Sequence, residues 1–430
     1  MVEKAMGEGT RRAKNMMREL EHPDGYGDGL PALEYWNDPK NFASFSDTLI
    51  EAAIAVGYSG DREDRSAVCR YIMDCGAKRG IDISPWKRSL QNWLRRKEDI
   101  KADGGRKRFG EPDRDEQTRD RIYQICFALD MKPDQVKDFF RRGYWERVVN
   151  YKSESECVYW YCLQRGLSYE RAVTILKRVQ EEREGTQETE HFPMEPTAAI
   201  GQAVLACPDE RALVRYLVDH KESFLQKNVT AIAKVEKLLA DGKELAKKLD
   251  EKENKPADRF FRGKRDVTDE RYLNFLYGVF ARTHKKGKYI CKDPYSGPRK
   301  SFPLGYARAN IPSAHQLSKI RKGGDGGMMN DSIRKTLVFL DFAHFALGEK
   351  LAEYDQDVRR MPAGKKSGSG GSHYASFLKE INEILEESDF PELYLRNPYD
   401  WLFAYCVFVP SRETRDDVSL EAFRGMFYRE

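Results

Sequence analysis

DREDRSAVCRYIMDCGAKRGIDISPWKRSLQNWLRRKE, residues 61–98, and DEQTRDRIYQICFALDMKPDQVKDFF, residues 115–140, decide the fold. Four short helical patterns follow one another in these stretches, separated by turn residues and a basic loop. Asp64 to Ala77 places Val68, Tyr71, Ile72 and Cys75 at the spacing of one helix face. Gly80 then stops the helix, because a residue free to adopt positive φ is what a tight helix end needs. Ser84-Pro85 starts the next helix with an N-cap residue and a proline at the first helical position. That helix carries Leu90, Trp93 and Leu94 as apolar positions and Lys87, Arg88, Ser89, Gln91 and Asn92 as polar ones. A helix built this way rests on a small core and offers polar side chains outward, as major-groove recognition requires. Asp115 opens a third helix with Ile122, Ile125, Cys126 and Leu129 inward. Lys132-Pro133-Asp134 turns the chain into a fourth, with Val136, Phe139 and Phe140.

Working outward, the helical period begins at Phe45, with Ser46 as the expected cap and Leu49, Ile50, Ala53 and Ile54 on one face. Residues 1–44 are rich in Gly, Pro, Asp and Asn and read as a mostly irregular tail that packs through Leu33, Tyr35 and Trp36. After Tyr144 the chain continues as helices. Ser153 and Glu156 have capping-box spacing, and Ser168 is a second cap. The polar, proline-containing stretch 183–196 reads as a loop or joint, and residues 359–373 as a flexible low-complexity segment. Strand-like alternation is scarce. The expected fold class is all-α: a multi-domain helical protein with an N-terminal helix-turn-helix over 45–145, a helical middle domain over 146–255 and a mainly helical C-terminal domain over 266–430.

At 430 residues, two or three domains are expected rather than one core. The chain has 74 basic and 70 acidic residues, a net charge of +4, so any nucleic-acid affinity must come from local clusters. The densest is Arg95, Arg96 and Lys97, followed by Arg106, Lys107 and Arg108. No run of 18 apolar residues exists, so no membrane partner is expected. The N-terminus lacks the apolar segment of a secretory signal. The eight cysteines form no CxxC pair, and Cys126, Cys157, Cys162 and Cys406 lie within apolar helical patterns. This is the usage of buried thiols in a reducing, cytoplasmic setting, with no metal and no cofactor expected.

The run from Gly80 through SPWKRSLQNWL to the phrase ICFALDMKPDQVKDFF resembles the lambda-repressor-like helix-turn-helix family, the XRE or Cro type. The resemblance spans about 100 residues including the helix that begins near Ser46. It implies a helix-turn-helix module that binds duplex DNA. The remainder is similar to uncharacterised regulator-like proteins of Firmicutes and implies no activity. Proteins of this general build resemble parts of mobile elements or phage-defence loci.

The candidate base-reading residues are Lys87, Arg88, Gln91 and Asn92. Arg pairs with guanine and Asn or Gln with adenine, each bidentate contact being worth about 1–3 kcal/mol. Arg95, Arg96, Lys97, Arg106, Lys107 and Arg108 are candidate phosphate contacts, and six neutralised phosphates give a salt slope of about −5. A second patch, Lys285 to Lys300 with Tyr289, Tyr295, Phe302 and Tyr306 interleaved, suits single strands or structured RNA. The stretch around Ser332, Arg334 and Lys335 reads as a helical hairpin, or as a second helix-turn-helix in which those residues are exposed. Arg215 and His220 have the R-x4-H spacing of HEPN-type ribonucleases, with Tyr216 out of keeping with that pattern. No phosphate-binding P-loop and no H-E-x-x-H occur. The expected function is therefore a nucleic-acid-binding, regulator-like protein without catalysis of its own. Its expected partner is duplex DNA, with structured RNA, a single strand, a protein partner or a second copy also open. The alternatives are an effector or adaptor of an anti-phage or mobile-element system, beside a reverse transcriptase or nuclease, and a ribonuclease.

Overall fold

A computed structural model describes residues 41–42, 44–95, 112, 115–184, 197–224, 229–256, 259–261, 267–277, 307, 310–322, 330–357, 371–408 and 419–428. Among the described residues the protein is all-α, with no strand. No helix there is long and apolar enough to cross a membrane. The first helices are α1 (Phe45–Ala55), α2 (Arg65–Lys78), α3 (Lys87–Trp93), α4 (Glu116–Ala128), α5 (Pro133–Phe139), α6 (Glu154–Gln164), α7 (Tyr169–Glu184), α8 (Thr197–Ala206), α9 (Glu210–Asp219) and the short α10 (Lys221–Phe224). They are followed by α11 (Val229–Glu253), α12 (Asp269–Leu276), α13 (Ala314–Arg321), α14 (Asn330–Asp357), α15 (Gly371–Glu387), α16 (Pro398–Phe408) and α17 (Ser419–Tyr428).

The apolar residues gather into two cores. One runs from Phe45 to Phe224 and joins α1–α10; the other runs from Ala231 to Phe423, joins α11–α17 and takes in Phe42 and Trp145 from the N-terminal part of the chain. The break between cores thus falls between Phe224 and Ala231, whereas composition suggests joints near 145 and 255. Helices α6–α10 bury Cys157, Val158, Ile175, Leu213 and Leu217 against the same core as Leu49, Ile72 and Ile122, so nothing separates them at 146. The charged face of α11 conceals an apolar row, Ala231, Val235, Leu239, Ala246 and Leu249, that belongs wholly to the second core.

Capping explains the helix starts. Ser44, not Ser46, caps α1, accepting from the Asp47 N–H at 3.1 Å. Asp64 and Asp115 cap α2 and α4 in the same way. Ser153 caps α6, but Glu156 does not close a capping box: its carboxylate turns to Arg119 instead. Gly80 has φ +71°, the left-handed turn expected after α2. Gly143 is required by proximity, because a Cβ there would sit 2.8 Å from the Thr48 Cβ on α1.

A buried polar network ties the first core together and reaches the second. Arg119 on α4 makes a two-pronged pair with Glu156 on α6, both contacts at 2.6 Å, and donates to the Arg147 carbonyl at 3.0 Å. Arg147 in turn donates to the Asp389 carboxylate at 2.5 Å and to its carbonyl at 3.0 Å, beside the end of α15. Trp145 is left-handed, with φ +56°, a conformation that costs a non-glycine residue on the order of 1–2 kcal/mol. Its ring is buried in the second core and its indole N–H donates to the Arg142 carbonyl at 2.9 Å, which offsets that cost. Removing one partner of a buried pair leaves the other charge stranded. Arg119→Ala is therefore expected to lower unfolding free energy by about 3–5 kcal/mol, read as a fall in the urea midpoint.

In the second core, Arg334 on α14 pairs with Asp400 on α16 at 2.8 and 2.9 Å, and Lys335 donates to Asn310 at 2.8 Å. Both side chains are buried, so they do not form an exposed second helix-turn-helix. Lys350 bonds Glu253 at the end of α11 and Glu421 on α17. Two and a half turns before it, Asp341 is 1% exposed, and neither of its carboxylate oxygens has a hydrogen-bond partner among the described residues. Burial, with a small further push from Glu380, raises its pKa to about 8. The unfolded carboxyl ionises near about 3.9, so between that value and about 8 the folded state holds a proton that the unfolded state has lost. Stability must then fall as pH rises through this window, by about 1.4 kcal/mol per unit from this group. Urea unfolding from acid to alkaline pH is expected to show that slope in the native protein and its loss in Asp341→Asn.

Candidate nucleic-acid interface

Helix α3 is short because its expected first turn is of a different kind. Ser84–Trp86 forms a 3-10 turn, Ser84 makes no side-chain cap, and the α-helix proper begins at Lys87. Pro85 fixes the backbone there, and the Asp82 carboxylate accepts from the Ser84 N–H at 2.9 Å. From Lys87 onward the side chains divide cleanly. Lys87, Arg88, Gln91, Asn92 and Arg95 are exposed, while Leu90, Trp93 and Leu94 are buried. At 3.6 residues per turn the exposed set occupies a continuous arc of about 140° and the buried set faces the opposite way. The structure therefore brings Lys87, Arg88, Gln91, Asn92 and Arg95 onto one surface. Arg96, Lys97, Arg106, Lys107 and Arg108, and the patch from Lys285 to Tyr306, lie outside the described residues.

Three polar contacts hold α3 in place. The Trp86 indole N–H donates to the Gln124 side-chain oxygen on α4 at 3.0 Å. Gln124 is itself held by Asp120 at 2.8 Å, whose other oxygen accepts from the Tyr159 hydroxyl on α6. Arg121 on α4 donates to the Ser89 hydroxyl at 3.4 Å. At the far end, Ser46 on α1 donates to the Leu94 carbonyl at 3.2 Å, capping a carbonyl that α3 cannot satisfy itself. Trp86 also packs on Trp93, and Trp93 meets Phe45 edge-on at 5.7 Å, so both tryptophans belong to the core.

The electrostatics of the surface are local. Burial pushes the Cys69 thiol up, while Lys87 on α3 and Arg70 on α2 draw it back down. Arg70 is exposed and Arg121 partly so, and sequence reading overlooked both. Arg70 lies on the polar face of α2 with no spacing signal of its own. Arg121 stands 32 residues from Ser89 in the chain, a pairing that only the fold creates.

Arg215 is exposed on α9, but His220 lies just past the helix end, with Nδ1 3.0 Å from the Tyr216 carbonyl and its ring stacked on Tyr216 at 4.3 Å. The cysteines of the described residues are all free and buried, and no group of His, Cys, Asp or Glu there has the arrangement of a metal site. No family model, curated protein or solved structure matches the chain.

Gln124 is the hinge of this anchoring. Gln124→Leu leaves the buried indole N–H of Trp86 without an acceptor, at a cost of about 1–3 kcal/mol. The urea midpoint is expected to fall accordingly, whereas substituting the exposed Gln91 by Leu leaves it within about 0.5 kcal/mol of the native value.

Proposed function

We propose that the chain is a duplex-DNA-binding protein in which α2, the turn through Gly80 and α3 act as a helix-turn-helix of the lambda-repressor-like kind, with α3 entering the major groove. The observation that carries this reading is the exposed arc Lys87, Arg88, Gln91, Asn92 and Arg95, backed by a buried apolar edge. The seven residues of α3 span about 10 Å, and a helix about 10–12 Å across with its side chains fits a groove about 12 Å wide. The side chains are of the right chemistry: Arg88 for guanine, Gln91 and Asn92 for adenine, Lys87 and Arg95 for guanine or phosphate. The rigid seating of α3 supports the reading, because base discrimination needs donors whose positions are set before contact. In this reading the protein is a regulator that does no chemistry on its target, and the second core serves as a body carrying the reading module.

The test is binding of the full chain to labelled random duplex DNA, single-stranded DNA and RNA across a salt series, followed by selection of preferred duplex sequences. Duplex affinity is expected to fall steeply with salt, and Arg88→Ala with Gln91→Ala to cost about 1–3 kcal/mol per lost base contact on preferred sites while leaving random-duplex binding nearly unchanged. Absence of duplex binding at low salt, or a sequence preference untouched by these substitutions, overturns the proposal.

A further inference from the structure

The reading surface of α3 is bordered by an arginine on each side, and neither belongs to α3. Around the helix, Lys87 marks one edge of the exposed arc and Asn92 the other, with Ser89 just beyond Asn92. Beyond the Lys87 edge lies α2, which packs against α3 and carries the exposed Arg70 directly after the buried Cys69. Lys87 and Arg70 both act on the Cys69 thiol, so the two cations share one neighbourhood. Beyond the Asn92 edge lies α4, where Arg121 reaches Ser89 at 3.4 Å and stays partly open to solvent. The 3.4 Å contact is long for a hydrogen bond and leaves the remaining donors of the guanidinium available. Neither arginine has a carboxylate within ion-pair distance among the described residues.

We propose that Arg70 and Arg121 are phosphate clamps, one for each of the two backbone strands that border the groove occupied by α3. This rests on the duplex-reading proposal above and adds to it which residues outside α3 set its register on the duplex. A helix lying in a groove is flanked by a phosphate strand on either side. Cations placed beyond both of its edges fix depth and tilt without reading sequence. The arrangement also offers a chain of net charge +4 a way to hold a polyanion, since Lys87, Arg88 and Arg95 on the arc and Arg70 and Arg121 beside it would lie where the strands pass.

The two roles separate by experiment. Each clamp neutralises one phosphate, so Arg70→Ala and Arg121→Ala are each expected to reduce the slope of log affinity against log salt by about 0.9. Binding to the full chain is followed by fluorescence anisotropy of a labelled duplex between about 50 and about 200 mM salt. Both variants are expected to keep the native ranking of duplex sequences. Arg121→Lys is expected to keep the native slope, and so is Ser89→Ala, which removes the hydrogen bond and leaves the charge. Urea unfolding of each variant checks that the fold is intact. A native slope in Arg70→Ala or in Arg121→Ala overturns the clamp. So does a slope lost equally in Ser89→Ala, which assigns Arg121 a purely structural role. If Arg88→Ala with Gln91→Ala abolishes sequence preference while the clamp variants keep the native slope, the clamp fails and the duplex-reading proposal stands. If the native protein binds no duplex, both fall together.

Discussion

The pair between Arg119 and Glu156 is the constraint on which the rest of the molecule depends. Two hydrogen bonds of 2.6 Å join α4 to α6 inside the first core. The same guanidinium donates to the Arg147 carbonyl in the following turn and lies 5.5 Å from the centre of the Phe140 ring. Glu156 also accepts from the Asn150 N–H at 2.7 Å. The segment 144–150 is therefore shaped by a buried charge pair rather than by regular hydrogen bonding. That shape places Trp145 in the second core and aims Arg147 at Asp389. Charges in such a place cost desolvation, and excellent geometry is what repays it. The pair does more for the specificity of the chain path than for net stability, because the turn it shapes is also the one that joins the two cores.

The same network reaches α3 by a different route. From α6, the Tyr159 hydroxyl bonds Asp120, Asp120 holds Gln124, and Gln124 accepts from Trp86 at the entrance to α3. Helix α4 is thus a spine with two functions. One face carries Arg119 inward to α6, and the other carries Gln124 and Arg121 outward to α3. A short helix such as α3 has little stability of its own. Its conformation is imposed by what it packs on, and that is why its seat is polar at both ends and aromatic in the middle.

Much of this was legible in the residues, and the parts that were not share a cause. The helix periods, Gly80 as a terminator, and the inward set Leu90, Trp93, Ile122, Ile125 and Val136 follow from local patterning and are present in the fold. The polar arc of α3 was legible too, since a period of 3.6 residues separates Lys87, Gln91 and Asn92 from Leu90 and Trp93. Cap identity failed where two candidates lay close together: Ser44 and Ser46 are equivalent by type. The choice is decided by Leu94, 48 positions away, which takes the Ser46 hydroxyl. Glu156 fitted a local box and was claimed by Arg119, 37 positions away. The division of the buried residues into two clusters, one ending at Phe224 and the other taken up at Ala231, was not legible either. A polar stretch marks a surface, but only the packing of α6–α10 on α1–α5 reveals which core owns a helix.

These failures bear on how the surface of α3 works. The residues that face outward along α3 are local in sequence and carry chemistry by type. The residues that hold α3 still, Ser46, Gln124 and Arg121, come from helices on either side and have no shared motif. A helix with the right side chains but a loose seat would bind a polyanion and distinguish little, since an error of an ångström in donor position removes a bidentate contact. On the proposed reading, discrimination would reside as much in the core as in the exposed arc. The low net charge points the same way. With 74 basic and 70 acidic residues, long-range attraction would contribute little, and the proposed affinity would be assembled from a few well-placed contacts. On the proposed reading, the polar seat of α3 keeps those contacts in fixed relation to one another, which a surface so small would need for recognition.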